Sequence, residues 1–152
     1  MAKFAPAAQA GVSVIAYAAL LGWQGAVGFV LLIFCHESGH YLAMKAYGLN
    51  PGPITFVPFL GAAVQMRRHP STAYMEAVCA LAGPVLGGLT AVAVLGHGIT
   101  TGSELTLSLA HMGILINLFN MIPVGMLDGA KIIAAIDVRL IWVGIAVFWV
   151  VA

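Results

Sequence analysis

The chain has 152 residues, 62% of them hydrophobic and 7% charged, with a net charge of +1 and a mean hydropathy of +1.04. Soluble domains carry about a quarter charged residues, so this composition excludes a soluble globular domain. It predicts a single polytopic membrane domain over 1–152, and nothing in the charge points to a nucleic-acid partner.

From about residue 7 to 47 the sequence is apolar and too long for one span, which needs about 20 residues to cross roughly 30 Å. It breaks at "GWQG", residues 22–25, where two glycines, an interfacial Trp23 and Gln24 predict a tight turn. A first helix is therefore expected over about 7–21 and a second over 24–47. Lys3 precedes the first helix without a cleavage-type polar segment, so this stretch reads as a retained membrane span. Residues 48–71 hold four of the seven prolines and cannot be helical. Partial alternation on either side of "PFLG" predicts two short strands and a turn at membrane depth, where non-helical backbone must be paired or face a cavity.

A third helix is expected over about 72–95, kinked at Gly83-Pro84, with Gly83 and Gly87 spaced for close helix packing. "GHGITTGS" (96–103) reads as a polar loop. A fourth helix follows over 104–121 and ends before Pro123. A short helix over 129–136 and an apolar run over 140–152 complete the chain. That last run makes about 20 Å of helix, less than a span, so the chain reads as C-terminally truncated or ending inside the membrane. The expected fold is thus all-α, with five to six transmembrane helices and a membrane-inserted β segment between helices 2 and 3. Cys35 and Cys79 lie in apolar runs and read as buried thiols. With helices 1 and 2 as a hairpin, all six Lys and Arg residues fall on one side, which is then the cytoplasmic one.

"LLIFCHESGHYLAMK" (31–45) places His36, Glu37 and His40 inside a hydrophobic run, where ionisable groups are rare and usually functional. Spaced at i and i+4, the two imidazoles share one helix face and can hold a zinc ion. Glu37 is turned by about 100° and is suited to act on a metal-bound water rather than to ligate. A third ligand has to come from elsewhere. His69 and His97 lie in edge loops, and Glu76 and Glu104 read as acids at helix starts. His111, nearer the far side, reads as a packing or hydrogen-bonded histidine. Asp128 is nine residues from the cytoplasmic edge at Asp137, as His36 is from Lys45, which sets both at about 13 Å depth. Asp128 is therefore the expected third ligand, with Gly129 supplying unusual backbone angles that turn the carboxylate inward.

These residues resemble the site-2 protease family of intramembrane zinc metalloproteases. The likeness rests on "HESGH" (36–40), on "NMIPVGMLDG" (120–129) with Asn120, Pro123 and Leu127-Asp128-Gly129 in place, on "AGPVLGG" (82–88) and on "FVPFLGAAV" (56–64). Ala130 stands where the family often has a second glycine. The resemblance implies one zinc per chain, a prokaryotic cell membrane, an active site opening to the cytoplasm, and cleavage of transmembrane segments of substrate proteins. In that reading Glu37 is the general base. The resemblance gives Asn120 a hydrogen bond to the substrate backbone or the oxyanion, while its local sequence suits a helix cap equally well. Asn117, one turn earlier, reads as a packing amide. The 54–66 segment is expected to receive the unwound substrate as an added strand, with Phe56, Val57 and Gly61 as contacts. Two other readings compete: a membrane zinc transporter, which predicts several metal sites along a path, and an inactive relative that binds transmembrane partners.

Overall fold

A computed structural model of the chain describes residues 5–137 and 139. Helix α1 (Ala5–Ala46) is followed by strands β1 (Pro51–Val57) and β2 (Gly61–Met66), then by α2 (Ala73–Thr101), α3 (Glu104–Asn120) and α4 (Asp128–Ile136). The run over 140–152 lies outside the described residues. Among the described residues, α1 and α2 are long and apolar enough to cross a membrane. The mostly helical fold with its small two-stranded sheet agrees with the expected class, while five to six spans are not shown among the described residues.

The break expected at "GWQG" falls at Gly22, whose φ of 68° and ψ of 164° interrupt α1. An L-residue with a Cβ resists that conformation, whereas glycine does not. The chain doubles back there. Tyr17 and Phe29 meet edge to face with ring centroids 4.9 Å apart, although twelve residues of unbroken helix would separate them by about 18 Å. Tyr17, Ala26, Val30 and Ile33 form the core between the two arms, and Phe56 of β1 completes it.

The strands pair antiparallel, with Thr55 opposite Ala63, Phe56 opposite Ala62 and Val57 opposite Gly61. "PFL" turns the corner, with Phe59 at φ 64°. Its ring packs edge to face on Tyr17, at 5.6 Å, and ties the hairpin tip to the first arm of α1.

The expected polar loop over 96–103 is mostly helix. α2 continues to Thr101, and within its last turn the Thr100 and Thr101 hydroxyls donate back to the His97 carbonyl at 2.9 and 2.8 Å. Gly102, at φ 67°, ends it, and Ser103 caps α3 through the Thr106 N–H. α2 packs against α1, α3 and α4. The outer surface is apolar, with Ile15, Leu20, Leu89, Leu115 and Leu118 all exposed.

Candidate metal centre

Three buried side chains from the two halves of the chain converge. His36 and His40 lie one turn apart on the second arm of α1, and Asp128 is the first residue of α4. Asp128 Oδ2 is 3.2 Å from His36 Nε2 and 3.1 Å from His40 Nε2, and the two Nε2 atoms are 3.1 Å apart.

The groups behind the rings decide what these distances mean. Asn117 donates its Nδ2–H to the Gly113 carbonyl at 2.6 Å, which leaves its Oδ1 to accept from His36 Nδ1–H at 2.9 Å. The Cys79 carbonyl accepts from His40 Nδ1–H at 2.8 Å. With both Nδ1 atoms carrying hydrogens, both Nε2 atoms of the neutral rings present lone pairs. Two bare nitrogens and a carboxylate oxygen therefore face one another, and a proton on one nitrogen satisfies only part of the triangle. A cation satisfies all of it. A tetrahedral zinc ion with ligand bonds of about 2.0–2.1 Å spaces its ligands about 3.3 Å apart, so the donor set and its size fit zinc. Such a three-ligand set leaves a fourth position open, as catalytic sites require.

Close backbone approach makes this possible. A Cβ at Gly39 would run into the Ala82 carbonyl, one at Gly83 into the His40 ring, and one at Gly87 into the Asn117 amide. The Gly83/Gly87 pair does serve packing, and the groups it admits belong to the centre itself. Gly129 plays a different part from the one expected. Its backbone is helical, and it is needed for space, because a Cβ there would collide with the Met121 carbonyl. Lys131 Nζ lies 3.5 Å from Asp128 Oδ1, on the oxygen not directed at the imidazoles.

Two cavities adjoin the triad. The smaller, about 160 Å³, is bordered by His36, His40, Asp128, Lys131, Glu76 and Ala62–Val64 of β2. The larger, about 830 Å³, is mostly apolar and lies among Tyr17, Phe29, Phe59, Leu115 and Phe119. His36, Glu37, Ala62 and Asn120 border both. Glu37 thus stands beside the triad and open to each space. Asn120 uses one Nδ2–H on the Ile116 carbonyl at 3.0 Å and keeps its remaining polar valences toward the cavities.

The strand beside the centre is β2. Gly61 borders the larger cavity, while Phe56 and Val57 border neither. Phe56 is spent on the core against α1, and Val57 faces outward at 42% exposure. The sequence reading also missed Asn117 and Glu76. Asn117 orients His36, and Glu76, read as a helix-start acid, also borders the metal cavity. His111 donates to the Leu107 carbonyl at 2.7 Å on an exposed face, away from the triad. The thiols of Cys35 and Cys79 are free.

Asn117→Ala removes the acceptor that holds the His36 ring. Zinc affinity is expected to fall about 10–100-fold, the usual cost of losing such an orienting bond, measured by competition with a chromophoric chelator.

Neither protein-family models nor curated protein sequences match this chain. Among solved structures the chain is similar to the site-2 protease from Methanocaldococcus jannaschii, with a TM-score of 0.65 and 22% identity over 84% of this chain and 62% of that one. The chain therefore has the site-2 protease fold, and spans somewhat less than two thirds of that structure's length.

Proposed function

We propose that the chain is the core of an intramembrane zinc metalloprotease that cleaves transmembrane segments of other proteins. One observation carries the reading: two lone-pair imidazole nitrogens and a carboxylate oxygen within 3.1–3.2 Å of one another, beside Glu37, on a helix apolar enough to lie in lipid. His36, His40 and Asp128 hold one zinc per chain. Zinc, when bound, makes water acidic near neutral pH and polarises a carbonyl.

The chain's own residues supply the rest. Glu37 accepts a proton from water and delivers it to the leaving amine. Asn120 offers its second Nδ2–H to the oxyanion or to the substrate backbone. Asn117 and the Cys79 carbonyl hold both imidazoles in the ligating tautomer. A helical substrate must be extended before attack, and β2 is an edge strand beside the triad that can pair with it. Proline at those β2 positions whose N–H points away from β1 is expected to lower cleavage about tenfold or more, with metal content unchanged. The expected placement of the Lys and Arg residues along the sequence supports a multi-pass prokaryotic cell membrane protein whose basic side is cytoplasmic, with the metal cavity opening toward it.

A zinc transporter would place several such clusters along a path. Among the described residues, His36, His40 and Asp128 are the one group of this kind.

The test is cleavage of a labelled transmembrane helix by the purified chain in lipid vesicles. Products cut within the membrane segment should form with one zinc bound per chain, stop on chelation and return with added zinc. A zinc-loaded chain that leaves every offered transmembrane segment intact refutes the reading. So does bound zinc well above one per chain that crosses the vesicle wall.

A further inference from the structure

A third cavity, of about 380 Å³, lies away from the triad at the base of the β-hairpin. It is bordered by Tyr41, Lys45, Gly48, Asn50, Pro51 and Arg68. Tyr41 and Lys45 are one helical turn apart at the end of α1, so their side chains share a face. Gly48 (φ 69°) and Asn50 (φ 49°) turn the chain sharply from α1 into β1. The Arg68 N–H then donates to the Leu49 carbonyl at 3.1 Å, which brings the second residue after β2 against the turn that follows α1.

Two basic residues thus border one concavity, and no carboxylate borders it. Among the described residues neither Lys45 nor Arg68 has an acidic group within 4 Å. The Tyr41 hydroxyl and the Asn50 amide add neutral donors. Like charges that border one cavity repel each other, and a bound anion between them relieves that cost. The site sits where the apolar second arm of α1 ends, nine residues beyond His36 and so about 13 Å along the helix axis. This is the level at which lipid headgroups meet a basic membrane-protein rim.

We infer that this cavity binds a phosphate group, bridging the Lys45 ammonium and the Arg68 guanidinium, and that its occupant is the phosphodiester of an anionic phospholipid. The volume exceeds the needs of inorganic phosphate and leaves room for the rest of a headgroup. An anion there joins α1, which carries the two histidines, to the end of β2, which walls the metal cavity. Binding should therefore also steady the hairpin. The inference concerns lipid recognition and holds whether or not the chain cleaves peptides.

The neighbouring arginine provides the control. Arg67 carries the same charge one residue away but does not border the cavity. The intact chain is reconstituted with phosphatidylcholine, with phosphatidylcholine plus phosphatidylglycerol, or with phosphatidylcholine and inorganic phosphate in the buffer. Phosphatidylglycerol retained after extraction is counted by native mass spectrometry, and hydrogen exchange is followed at residues 61–68. Arg68→Gln and, separately, Lys45→Gln should each lower phosphatidylglycerol retention about fivefold, the factor expected for one interfacial cation. Both should lose the slowed exchange that the lipid produces, and Arg67→Gln should match the native chain. Protection by inorganic phosphate equal to that by the lipid would identify a soluble phosphate as the occupant, and protection by the lipid alone a headgroup. Equal loss in Arg67→Gln and Arg68→Gln, or native retention in both Arg68→Gln and Lys45→Gln, overturns the inference.

Discussion

Glu37→Gln is expected to abolish peptide hydrolysis while the chain still holds one zinc. The substitution keeps shape and volume but removes the basic oxygen, and general-base catalysis contributes about 10²–10⁴ in rate. Glu37 is not part of the triangle formed by His36, His40 and Asp128, so the metal ligands remain as they are. The residue is buried yet borders both cavities, so its amide replacement still reaches water and needs no rearrangement. The measurement is paired: zinc content by elemental analysis, and cleavage of a transmembrane substrate in vesicles. Turnover within a factor of two or so of the native rate would remove Glu37 from the mechanism. Loss of zinc with the activity would make it a ligand instead.

Gly83→Ala, which changes no ionisable group, is expected to disable the same chemistry by steric means. The added methyl would fall on the His40 imidazole. That ring cannot simply swing aside, because its Nδ1–H is held by the carbonyl of Cys79, four residues before Gly83 on α2. Retreat of α2 would open the close approach of Gly39 to the Ala82 carbonyl. Either the ring leaves its ligating position or α1 and α2 separate. Zinc affinity should fall by about a hundredfold or more, at or beyond the upper end of what losing a partner that only orients a ligand costs. Thermal unfolding should also move to lower temperature, since overpacking a tight contact usually costs about 1–3 kcal/mol. Zinc binding as tight as in the native chain would show that the helices have more room than their spacing indicates.

Much of this arrangement can be read from residue types alone. Proline density marks the non-helical segment, and "PFLG" marks its turn. The glycines of "GWQG" mark the place where α1 folds back. The spacing of His36 and His40 marks a candidate ligand pair, and equal distance along the helices from the basic ends at Lys45 and Asp137–Arg139 picks out Asp128. What stays hidden depends on contacts between distant segments. Asn117 looks like any amide in an apolar helix, because its partner His36 lies 81 residues away. The functional meaning of Gly83 and Gly87 is likewise invisible until α1 and α3 are laid against α2. Alternation shows two strands but not which one faces the centre; packing of Phe56 against α1 turns β1 inward and leaves β2 at the cavity. The helical stretch to Thr101 was masked by glycine and threonine, whose hydroxyls here bond back into their own helix instead of breaking it.

The four residues that belong to both cavities stand between a mostly apolar space and a smaller, more polar one. One reactant of a membrane hydrolysis dissolves only in the first and the other only in the second, so neither can diffuse to its partner through a common medium. In the proposed reaction, a wall with His36 and Glu37 in it, polar on one side and apolar on the other, would let each arrive by its own door. Widening either passage would not help the other reactant, and plugging either one should halt turnover as completely as removing the base.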